Sequence, residues 1–95
     1  MPAYRLDRVA GTERDPEWSR TTLSEPCWVN ASSEDQARDR VCRATGIASS
    51  GPKIIGSLLP TCPWNNAALT TCVVDPEAHV DEGIVMSRSG VAYPY

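Results

Sequence analysis

One stretch of this 95-residue chain carries a full helical pattern, with cap, dipole charges and stop. Ser33 stands three residues before Gln36, the Ser-x-x-Gln arrangement in which a hydroxyl and a carboxamide satisfy the free amides of a helix start. Glu34 and Asp35 follow the cap, and Arg38, Arg40 and Arg43 lie toward the far end, the charge order that the helix dipole favours. Glu34 with Arg38 and Asp39 with Arg43 are acid-first pairs four apart, and Gly46 is the expected stop. The apolar arc is Ala37, Val41 and Ala44, with Ala48 just beyond, all within about 60° on a 100° wheel. A helix with so small a face can lie close to a sheet but shields little of it. Its arginines, interleaved with Asp35 and Asp39, are expected on a solvated, salt-bridged surface.

A single helix limits what the rest can be. Parallel strands need a crossover for each pair, so a doubly wound sheet is disfavoured. Residues 3–9 read as a strand, with Tyr4 and Leu6 alternating with Arg5 and Asp7. Residues 27–31 form a second, placing Cys27, Val29 and Ala31 on one face and Trp28 and Asn30 on the other. Residues 69–74 are rich in β-branched side chains and give a third. Residues 83–88 and 91–93 form a hairpin about Ser89-Gly90. A two-residue turn there opposes Arg88 to Val91 and Met86 to Tyr93, and gathers Ile84, Met86, Val91 and Tyr93 on one apolar face. Residues 11–24 are polar, with a turn at Asp15-Pro16, and read as a loop holding Trp18. Residues 53–59 suit a strand or a short helix equally, and 49–66 stay unassigned. The expected fold is α+β: one domain over residues 1–95, a mainly antiparallel sheet of four to five strands with one helix on one face, in the order β-β-α-β-β-β. The stretch from Cys27 to Arg38 resembles a strand-cap-helix unit of small bacterial and phage-encoded proteins, a resemblance that implies a fold and no activity.

Net charge is −3, so there is no basic surplus to neutralise phosphates, and a nucleic-acid partner is disfavoured. No apolar run reaches the roughly 20 residues that span a bilayer, and none of signal-peptide length follows a basic start. A cytoplasmic protein without membrane attachment is therefore expected. In that compartment Cys27, Cys42, Cys62 and Cys72 are expected to be free thiols acting as small apolar groups. Their spacing contains no CxxC knuckle, so neither zinc nor another metal is expected, and no cofactor. Phosphate-cradling glycine loops are absent. The sole lysine, Lys53, follows Ser50-Gly51-Pro52, where proline removes an amide such a cradle would use.

Three groups of residues carry the functional expectations. Trp18, Trp28 and Trp64 are the candidate interface, since tryptophan is a frequent anchor of protein contacts. Trp28 lies opposite the apolar face of its strand, whereas Trp18 and Trp64 stand in loops from which they either plug the core or face a partner. Asp75, Glu77, Asp81 and Glu82 form an acidic run without the rhythm of a calcium loop, read as a surface turn or as a patch for a basic partner. His79 is the only histidine and would have to serve any Cys–His site, with Cys62 as nucleophile; a solvated loop side chain is its plain alternative. Together these give a small non-catalytic protein-interaction module, binding a protein partner or a second copy as a homodimer, as a phage or mobile-element accessory or inhibitor protein would bind a host protein. The alternatives are a cysteine-dependent enzyme or redox protein, and an acidic metal-binding or nucleic-acid-mimicking module.

Overall fold

Leu6 is fully buried on a strand that is paired on both sides. The computed structural model describes residues 2–46 and 62–95. Strand β1 (Ala3–Arg8) pairs antiparallel with β2 (Cys27–Asn30), Leu6 opposite Cys27 and Arg5 opposite Trp28. On its other side it pairs with β3 (Thr70–Val74), Leu6 opposite Cys72 and Arg5 opposite Val73. Strand β4 (Ile84–Ser87) lies beyond β2, and β5 (Ala92–Pro94) beyond β4. The result is one antiparallel sheet in the order β3-β1-β2-β4-β5. With the one α-helix among the described residues, it is the α+β architecture that the sequence implies.

Helix α1 (Glu34–Thr45) covers one face of this sheet, above the fully buried Leu6, Cys27, Val29 and Val85. Ser33 caps it as expected, its hydroxyl accepting from the Gln36 amide at 3.1 Å. The returning bond is displaced by one residue, for Gln36 Oε1 accepts from the Ser32 amide at 2.7 Å. Ala37 and Val41 are buried, and Ala44 is half-buried. Ala48 and the ambiguous stretch 53–59 lie outside the described residues.

Two of the three helix arginines depart from the solvated face expected of them. The small side chains of α1 bring its backbone close to the body, and Arg38 is drawn inside, only 5% exposed. Its Nη1 donates to Trp64 O at 3.2 Å and to Thr70 Oγ1 at 2.6 Å, and its Nη2 to Thr70 O at 3.3 Å. The guanidinium thereby serves acceptors that no regular element satisfies. Arg40 donates to Asn30 O at 2.7 Å and lies over the Tyr95 ring. Both expected acid-first pairs form, Arg38 with Glu34 at 3.3 Å and Arg43 with Asp39 at 2.9 Å, but only Arg43 of the two arginines lies on the solvated surface.

The cysteines also depart from it. Cys42 and Cys62 form a disulfide, and Cys27 and Cys72 are free and buried. Cys42 lies off the buried arc of α1 and so faces the chain that leads into a short 3-10 turn (Pro63–Asn65). The two Cα atoms stand 5.9 Å apart, within disulfide reach. Four free thiols were expected because a reducing compartment was.

The hairpin is correct in place but shifted by one residue. Met86 opposes Ala92, not Tyr93, and Ser87 donates its amide to Val91 O at 2.9 Å. The turn therefore holds three residues, with Gly90 at φ +90°, the left-handed position that a three-residue hairpin loop needs. A one-residue slip exchanges faces along a strand. Val85 and Tyr93 consequently form the pair turned toward the core, while Ile84 and Met86 face away from the helix with Pro94 and Ala92.

Residues of the first loop form a 3-10 turn (Pro16–Arg20), opened by Asp15, whose side chain accepts from the Glu17 amide at 2.9 Å. This turn sets Trp18 edge-on against Trp64, with ring centroids 5.3 Å apart. Trp64 is fully buried and its Nε1 donates to Leu23 O at 2.9 Å. The helix is too narrow to close the core alone, and these two tryptophans complete it.

Candidate functional site

Among the described residues no helix or strand is laid along the side of the sheet away from α1, and one row of side chains crosses all five strands there. From edge to edge the row is Val73, Arg5, Trp28, Met86 and Ala92, each opposite the next. Val73 is 55% exposed and Trp28 and Met86 are half-buried. Arg5 holds its guanidinium 5.6 Å from the centre of the Trp28 ring and pairs with Asp7 at 2.8 Å. The strand alternation that buries Leu6 and Val29 is what turns Arg5 and Trp28 outward.

One end of this face meets the acidic run. The segment 75–83 joins β3 at one edge of the sheet to β4 on the far side of β2, so it must cross β1 and β2. Two side chains of β2 hold it as it crosses. Trp28 Nε1 donates to Asp75 Oδ2 at 3.1 Å, and the Asn30 carboxamide donates to Val80 O. Asp75 also accepts from the Glu77 amide at 3.3 Å, which shapes the turn. Between this segment and the sheet end lies an open groove of about 500 Å³, lined by Pro2, Asn30, Pro76, His79 and Asp81 among others. Glu77, Asp81 and Glu82 are exposed, and Asp75 is half-buried.

The structure thus joins Trp28 to Asp75 and sets Glu77, Asp81 and Glu82 on the segment that Asp75 opens. It separates them from Trp18 and Trp64, which are buried in the core on the helix side. Arg5, Val73 and Met86 belong to the site but were not singled out from the sequence. Arg5 and Val73 follow from strand alternation once the pairing is known. Met86 was grouped with Ile84, Val91 and Tyr93, a face that the sequence did not assign to either side of the sheet.

The thiol chemistry open to the chain is narrow. Cys62, the only nucleophile proposed to work with His79, is tied to Cys42, and His79 is exposed at the lip of the groove. Burial pushes the Cys27 thiol far above its ordinary value, and burial pushes Cys72 up to about 11. A reactive cysteine needs the opposite shift, because the thiolate is the nucleophile. Among the described residues no group of three His, Cys, Asp or Glu side chains is placed to hold a metal ion, and no helix is long and apolar enough to cross a membrane. Comparison with models of known protein families, with curated proteins and with solved structures found no match.

Proposed function

We propose that the chain is a non-catalytic protein-interaction module that meets its partner with the helix-free face of the sheet. The observation that carries this reading is the row from Val73 through Trp28 and Met86 to Ala92, apolar apart from Arg5 and uncovered by any element among the described residues. Apolar side chains gathered on an open sheet face mark a contact surface, and a half-buried tryptophan is a suitable anchor within it. Docking on the face also suits the β5 edge of the sheet. By its register β5 turns Ala92 and Pro94 outward, and proline offers no amide to an added strand.

A cysteine-dependent activity is disfavoured by the same structure, since the disulfide takes Cys62 and burial protonates Cys27 and Cys72. The disulfide also favours an oxidising compartment over a reducing cytosol as the place where the module works.

Affinity capture from cells of the source organism, with the wild-type chain and a Val73→Glu variant as parallel baits, tests the reading. Val73 is exposed, so a charge there leaves the fold intact but opposes an apolar contact. The expected result is a partner held by the wild type and lost from the variant, with equal melting temperatures for the two baits. Equal capture by both would sink the reading. Light scattering at micromolar concentration shows whether the partner is a second copy.

A further inference from the structure

The reading above leaves the partner's chemistry open, and the charges around Trp28 narrow it. Asp75, Glu77, Asp81 and Glu82 all lie on the segment that crosses the helix-free face, three of them exposed. None takes part in the ion pairs formed among the described residues, which are Arg5 with Asp7, Arg38 with Glu34 and Arg43 with Asp39. Arg5, the cation nearest to Trp28 in the row, is already matched by Asp7. Arg88 follows β4 at the opposite end of the face, beside Pro26 and away from the acidic segment. Negative charge is therefore concentrated at one end of an apolar row, in none of the ion pairs among the described residues.

A second copy of the chain is a poor occupant of such a surface. Each copy carries a net charge of −3, so the acidic segment of one copy finds no basic surplus on the other. Like charges brought together across an interface oppose association, whereas complementary potentials favour and orient it. Resting on the interaction reading, we infer that the helix-free face receives a basic protein segment. An arginine or lysine of that segment sits against the Trp28 indole and the carboxylates of Glu77 and Asp81, while apolar neighbours of the cation cover Met86 and Val73. The Trp28 ring suits this role because its face attracts cations, as Arg5 already shows from within the chain. Asp75 is partly spent on the indole N–H and the Glu77 amide, so it positions the segment more than it meets the partner.

The test is a titration of the full, disulfide-bonded chain with an octapeptide of alternating arginine and leucine, and with its glutamate–leucine counterpart, followed by amide and indole N–H signals. The Trp28 indole signal is assigned by its loss in Trp28→Phe. The expected result is movement of that signal and of the amides of 75–82 with the basic peptide and not with the acidic one. A Glu77→Gln, Asp81→Asn, Glu82→Gln variant, unchanged in melting temperature, should bind the basic peptide about two- to fivefold more weakly for each carboxylate lost. Equal response to both peptides, shifts located elsewhere, or undiminished binding by the neutralised variant would each overturn the inference. A dimer in light scattering that Val73→Glu dissociates would also overturn it, because a second copy would then occupy the face. In that case the interaction reading survives; that reading fails on its own test, when Val73→Glu captures what the wild type captures.

Discussion

Trp28 and Asp75 are 47 residues apart in the chain, and the indole N–H of one donates to the carboxylate of the other at 3.1 Å. The bond fastens the segment after β3 to the outward face of β2. It joins what were two separate expectations, an aromatic contact residue and an acidic turn, into one surface.

Trp28→Phe keeps an aromatic ring on the face but removes the donor. A bond to a carboxylate contributes about 1.5–3 kcal/mol net, toward the lower end at a half-buried position. The variant should lose about that much in urea unfolding, and the amides of 75–83 should exchange faster while those of β1 and β2 do not. Unchanged exchange in that segment would mean that Asn30 and the turn hold it without Trp28.

The thiols give a direct count. Denatured without reductant, the protein should release two thiols to a colorimetric reagent, from Cys27 and Cys72, and four after reduction. The disulfide closes a sequence separation of 20, and chain entropy then assigns it about 3 kcal/mol, which reduction should remove. Cys72 adds a pH dependence. Its thiol is raised from 9.0 to about 11 in the folded chain, mainly by burial. Folding thus favours the protonated form, and this contribution is complete below pH 9.0 and falls away as the pH rises toward about 11. Cys27 acts in the same direction. Cys72→Ala should flatten the alkaline side of the stability profile; an identical profile would show that the thiol is open to solvent.

Arg38 is the next test, because its role runs against its residue type. It is buried and supplies three hydrogen bonds to Trp64 O and the hydroxyl and carbonyl of Thr70. Arg38→Ala strands those acceptors inside the protein, at about 2–4 kcal/mol in chemical denaturation. Arg40→Ala, whose side chain is only partly covered, should cost less. A loss below about 0.5 kcal/mol for Arg38→Ala would mean that water takes over all three bonds.

These departures show where the sequence stops being readable. The positions of the strands, the Ser33 cap and the outward turn of Trp28 rest on local patterns, and all are as those patterns imply. The burial of Arg38 depends on how close Ala37 and Val41 allow α1 to approach, which no local pattern encodes. The hairpin slip depends on one further turn residue, and the chemistry of Ser89-Gly90 serves a two- or a three-residue loop. The Cys42–Cys62 bond joins residues whose spacing carries no motif, so compartment was the only guide and it pointed the other way. For the site, Trp28 and the acidic run were each legible, but their juxtaposition was not. It follows from the path of 75–83 across the sheet, which is fixed by β4 pairing with β2 instead of β3.

Gly46 supplies the last prediction. It ends α1 as expected, yet in an extended conformation with φ −68°, which any residue adopts, so the left-handed freedom of glycine is not its reason for being there. The reason is space. A Cβ at this position would lie 2.5 Å from Cys42 O, closer than real Cβ atoms come to any backbone. Relief is hard to find from either side. The Gly46 amide donates to that same oxygen at 2.7 Å, and Cys42 is fixed by its disulfide. Thr45 is tied to the first loop, accepting from the Thr22 amide at 2.7 Å and from Thr21 Oγ1. At a compatible extended site, Gly→Ala usually stabilises by about 0.4–1 kcal/mol through the unfolded chain. Here the overlap should reverse the sign, so that Gly46→Ala loses about 1–3 kcal/mol in urea unfolding. A Gly46→Ala protein more stable than wild type would show that the end of α1 yields by a few tenths of an ångström and that the disulfide and the Thr45 bonds do not hold it.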